Sequence, residues 1–74
     1  MSQCPVGATL RVDEVELEAS EVRRLREMGL GVGSELRVEQ SAGLGGRVVR
    51  CGHQWLAVDA GTVRAVRGEL VGVG

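Results

Sequence analysis

Arg24-Leu25-Arg26-Glu27-Met28-Gly29-Leu30 runs straight into Gly31-Val32-Gly33-Ser34 and then into Glu35-Leu36-Arg37-Val38-Glu39. The first stretch reads as the last turns of a helix. Val22, Leu25 and Met28 form one apolar stripe, with Arg23, Arg24, Arg26 and Glu27 on the wetter face. Gly29 is placed to take the left-handed conformation that ends a helix, and Leu30 beyond it can pack back on Leu25. Gly31–Ser34 makes a corner. Leu36 and Val38 then alternate with charged neighbours, as in a half-buried strand.

Upstream, Ser20 is the expected N-cap and Glu21 suits the positive end of the helix dipole. Before it, residues 8–15 carry Leu10 and Val12 at strand spacing. Downstream, residues 41–46 read as a flexible hairpin loop and 47–51 as a strand. Gly52-His53 reads as a tight turn and residues 54–58 as another strand. Asp59 can cap a short helical turn through Val63, ahead of a last strand over 64–70. This order predicts a mainly β chain: about five antiparallel strands in a small, partly open barrel, with one short α-helix over an end.

At 74 residues the chain is expected to be a single domain, 1–74, with an ordered core over about 6–70 and frayed ends at 1–3 and 72–74. A core of this size supplies only about 3–5 kcal/mol of net stability, which favours assembly or a partner. There is no Phe, Tyr or Ile and one Trp, so Val, Leu and Ala build the interior, and β-branched Val favours pleated structure. The net charge of −1 argues against nucleic acid as a partner. All nine basic residues are Arg. Apolar runs fall short of the roughly 18 residues needed to span a bilayer, and residues 1–5 lack a secretory pattern. A cytoplasmic location without membrane insertion is expected.

The chain resembles the ferrous iron transport protein A (FeoA-like) family. The residues that carry the likeness are Arg24, Leu25, Met28, Gly29 and Leu30; Gly33 and Ser34 of the corner; Gly52; and Leu56, Ala57 and Val58. Val63 and Val66 stand where Ala and Ile are usual, and Val32 where the family has Pro. The resemblance spans about residues 6–69. It implies an SH3-like barrel and a non-catalytic accessory protein of bacterial iron uptake. The implied partner is the cytoplasmic, GTP-binding part of a membrane ferrous iron transporter. The same barrel closes iron-dependent repressors, so a metal-responsive module binding ferrous iron or zinc is the alternative.

Candidate sites follow from the residues. Gly29, Gly33 and Gly52 are turn positions. Trp55 projects on the Ala57 side of its strand, as a docking anchor or as a ring tucked over an open barrel end. Leu44, flanked by glycines, is an apolar loop tip that would contact a partner, a second copy of the chain, or solvent alone. Arg23, Arg24 and Arg26 offer a basic face to an acidic surface. Cys51 and His53 are zinc- or iron-type ligands two positions apart, but two groups do not complete a site. No cofactor is therefore assigned, and the pair stands against a simple core-and-turn role. The loop 43–46 lacks the Lys-Ser/Thr of a phosphate cradle, and no nucleophile–base–acid set is spaced for catalysis.

Overall fold

The computed structural model describes residues 1–73. Strand β1 (Ala8–Val15) leads through helix α1 (Ala19–Glu27) to β2 (Glu35–Ser41), β3 (Arg47–Cys51) and β4 (Gln54–Val58). Helix α2 (Ala60–Ala65) then turns the chain into β5 (Val66–Val73). All five strands form one antiparallel sheet in the order β4-β3-β2-β1-β5. The sheet curls round a single core as a partly open barrel. Its edges, β4 and β5, are linked through α2 and are not hydrogen-bonded to each other.

Curvature enters at three bulges, where Asp13 of β1, Glu39 of β2 and Val71 of β5 have no partner in register. An extra residue bends and twists its strand, which lets a short sheet close on itself. Inside the curl pack Leu10, Val12, Leu36, Val38, Val49, Cys51, Leu56, Val58 and Val66. Leu25 of α1, Leu30 beyond it and Val63 of α2 cover the open sides. Burying a leucine such as Leu30 or Leu36 completely is worth about 1.5–3 kcal/mol, and both are 1% exposed or less.

Helix α1 ends as its sequence dictates. Its last residue is capped by Met28, Gly29 has φ 93°, and Leu30 turns inward. The corner at 31–34 closes through Ser34 N–H to Gly31 O at 2.9 Å, with Gly33 at φ 91°. The turn after β3 is the two-residue loop Gly52-His53, with Cys51 opposite Gln54 and Gly52 at φ 62°.

Three expectations need correction. Ser20 lies inside α1, not at its cap: the cap position is Glu18, which makes no side-chain capping bond. Leu17 packs against the core, so the helix starts as soon as the chain clears that anchor. Helix α2 runs on to Ala65, and β5 occupies 66–73 instead of 64–70. The chain ends are tied down: Met1 is buried, its ammonium donates to Val66 O, and Gly72 and Val73 pair with Thr9 and Ala8. Gly74 lies outside the described residues. The expected hairpin loop joins β2 to β3, and its residues 43–45 form a single 3-10 turn in which Leu44 holds φ 62°.

Candidate functional site

Two-residue hairpins fix register, so the Gly52-His53 turn sets Arg50 opposite Trp55 on the outer face of the sheet. Trp55 is 58% exposed. The ring therefore stands out from the barrel and does not tuck over its end. The Arg50 guanidinium carbon lies 5.9 Å from the ring centroid, within reach of a cation–π attraction. One strand further, Arg37 of β2 is paired with Arg50. Two like charges directly opposite each other would repel. Glu39, the bulged residue of β2, removes the conflict. Its carboxylate reaches Arg37 Nε at 3.7 Å and Arg50 Nε at 3.3 Å. The outer face of β2–β4 thus carries a connected set, Arg37–Glu39–Arg50–Trp55. A shallow depression of about 390 Å³ between Thr9, Glu35 and Gly52 adjoins it.

The other candidate residues divide between the two ends of the sheet. A Cβ on Gly29 would lie 3.7 Å from the Cys51 Cβ, so the end of α1 abuts the end of β3, where Arg50 and Trp55 pair. Arg23, Arg24 and Arg26 are exposed on α1 and form no ion pair among the described residues. Leu44 is fully exposed. It belongs to the opposite end, because its neighbour Gly45 lies against Ala60 at the start of α2. Three residues of β3, about 10 Å of strand, separate the register positions of Arg47 and Arg50. Leu44 and Trp55 do not share one small patch.

Cys51 and His53 do not converge. The Cys51 thiol is part of the core and burial pushes its pKa up, whereas His53 is exposed in the turn. Among the described residues no group of three or more His, Cys, Asp or Glu side chains is placed to hold a metal ion. The residues present therefore do not fit a zinc or iron centre: a buried neutral thiol is a poor ligand, and a tetrahedral site needs more donors. No helix among the described residues is long and apolar enough to cross a membrane.

Sequence reasoning did not single out Glu39, Arg37 or Arg50. The signal was present in part. Positions 50 and 55 are equidistant from the Gly52-His53 turn, so their pairing was readable. The placing of Glu39 between two arginines depends on the β2–β3 register.

Comparison with known proteins places this geometry. The FeoA domain family profile matches residues 1–70. No protein of curated function matches the chain significantly. The FeoA protein of Chlorobium tepidum, solved by NMR, is 26% identical over 96% of this chain and 69% of its own, with a TM-score of 0.87. A second solution structure, iron(II) transport protein A of Clostridium thermocellum, has a TM-score of 0.84 at 24% identity. It speaks to the fold alone: this chain is covered to 96% but spans only 44% of that one. Stenotrophomonas maltophilia FeoA, crystallised with zinc, is 27% identical over 92% of this chain and 86% of its own, with a TM-score of 0.72. That protein is described as a prokaryotic SH3 domain protein and a candidate ferrous iron transport activating factor. With a family profile over nearly its whole length and the same curled sheet, the chain belongs to the FeoA family.

Proposed function

We propose that this chain is a non-catalytic adaptor of ferrous iron uptake. A single FeoA domain would act in the cytoplasm, bind the cytoplasmic, GTP-binding part of a membrane iron transporter and alter its activity. Family membership supports an iron-transport role, and the S. maltophilia relative, described as a candidate transport activating factor, supports an effect on transport activity. One structural observation carries the docking reading. In a chain with a single aromatic residue, the obvious use of that ring is to enlarge the core. Instead Trp55 stands out from the sheet, steadied by Arg50, which Glu39 holds in turn. Rigid, exposed Trp and Arg side chains dominate binding hot spots. The exposed arginines of α1 would meet an acidic surface, and Leu44 would add a separate apolar contact.

Titration calorimetry with the cytoplasmic domain of the cognate transporter tests this. Trp55→Ala should weaken binding at least tenfold, about 1.4 kcal/mol. Leu44→Asp should weaken it less. Unchanged affinity in both variants would remove the docking surface from this part of the fold.

The alternative, a metal-responsive module, draws on the zinc found with the S. maltophilia relative. The buried Cys51 thiol and outward His53 disfavour it. Binding of zinc or ferrous ion to the reduced protein tighter than about 10 µM would restore it.

A further inference from the structure

An open cavity of about 660 Å³ lies between residues 1–4, the end of α2 and β5. Its volume is that of a ligand site. Leu10, Leu70 and Cys4 give it an apolar floor, Arg64 and Arg67 stand at its edge, and among the described residues no carboxylate lines it. The two arginines differ. Arg67 is engaged by Glu16 at 2.8 Å and Glu14 at 3.6 Å. Arg64 has no ion pair or hydrogen bond among the described residues. The Met1 ammonium at the cavity wall is held below its ordinary pKa, chiefly by burial; Cys4 opposes that shift, and the charges of Arg67 and Arg47 add to it. The cavity thus combines an apolar seat with a cation, Arg64, that no salt bridge engages among the described residues.

Strand β5 extends this surface. It is an edge strand, and Leu70, Val71 and Val73 on it are exposed. Its outward backbone groups can accept another strand.

We propose that this cavity and the adjoining edge of β5 bind an acidic–aliphatic segment of the partner protein. A Leu or Val side chain would sit against Leu70 and Leu10. A neighbouring carboxylate would pair with Arg64, and the segment would continue along β5 over residues 69–73. This names the partner chemistry for the adaptor reading above, and rests on that reading for its biological meaning. The site is distinct from the face that carries Trp55.

The experiment is an amide NMR titration of the full chain with acetyl-Glu-Leu-Val-Glu-amide as probe and acetyl-Lys-Leu-Val-Lys-amide as control. The acidic probe should saturate shifts at Cys4, Gly68 and Leu70 with a Kd near or below about 1 mM, and the basic control should not. Arg64→Glu should weaken the acidic probe at least tenfold and allow the basic one to bind, and Arg64→Gln should weaken the acidic probe without admitting the basic one. Trp55→Ala should leave both unchanged. Equal response to both probes, shifts centred on Trp55, or no saturable shift would overturn the proposal. So would concentration-dependent shifts along β5 in the protein alone, which would assign that edge to a second copy. The probes contain no transporter sequence. Failure of the transporter to bind, with probe binding intact, would therefore sink the adaptor reading and leave this site standing.

Discussion

The Leu30 amide donates to the Leu25 carbonyl at 2.9 Å, across the glycine that stops α1, while the Gly29 amide donates to Arg26 O at 3.0 Å. These are the paired bonds of a Schellman stop. They bring Leu30, which is fully buried, onto Leu25 in the core, and the same reversal aims the corner at 31–34 into β2. Helix and sheet are joined at this one exchange.

Gly29 is therefore the most sensitive position of the helix end. A Cβ there would meet only the Cys51 Cβ at 3.7 Å, an ordinary contact. The cost of Gly29→Val comes from φ 93° and should be about 1–3 kcal/mol. Gly29→Asn should cost less, since Asn tolerates the left-handed region better. Urea denaturation of the three proteins checks the order; a Val variant as stable as the parent would refute it.

Val32 offers the opposite case. The corner at 31–34 has positive φ only at its third residue, Gly33, which is the signature of a type II turn with Val32 at the position favouring Pro. Val32 is 69% exposed, and its amide makes no hydrogen bond among the described residues. Val32→Pro should stabilise the fold by about 0.4–1 kcal/mol by restricting the unfolded chain. A lower thermal midpoint for the variant would show that the turn is of another type.

Much of this architecture was legible. The bounds of β3 and β4 follow from the turn residues that flank them, whereas period two set Trp55 on the Ala57 side of its strand and left open whether the ring stood out or tucked over the barrel end. The misses share a cause: local signals yielded to tertiary packing. Ser20 has the better capping chemistry, yet Leu17 decides where α1 begins. Ala65 and Val66 are both buried because the chain changes from helix to strand between them. No single period describes that change. Glu39 joins Arg37 to Arg50 only through the β2–β3 register, and a sequence does not state which strands are neighbours.

Close approach of β1 and β5 makes a sharper prediction. A Cβ on Gly68 would lie 1.9 Å from Arg11 O and 3.0 Å from the Val12 Cα. Both are backbone atoms, so a side chain there must part the two strands. Gly68→Ala should cost more than about 4 kcal/mol and leave little folded protein. Gly72→Ala, in the same strand, would meet only Thr9 Cβ at 3.9 Å and should fold normally. Circular dichroism of the pair decides: a folded, cooperative Gly68→Ala would mean that β5 does not pair with β1 in this register.

The last prediction concerns acid. Asp59 caps α2, and its Oδ1 accepts from the Thr62 amide at 2.8 Å. That bond is the main cause holding its carboxyl below the ordinary 3.8, with Arg64 a minor one. A depressed native pKa stabilises the fold above the unfolded value, and that contribution disappears as pH falls through the native one. Asn caps equally well but does not titrate. Between neutral pH and a pH well below 3.8, the parent should therefore lose more stability than Asp59→Asn, while Asp59→Ala should be weaker than both at neutral pH. The other carboxylates contribute equally to parent and variant, so the difference between their denaturation midpoints isolates this cap. A parent-minus-Asn difference that stays flat with pH would show that Asp59 is not held in its charged form by α2.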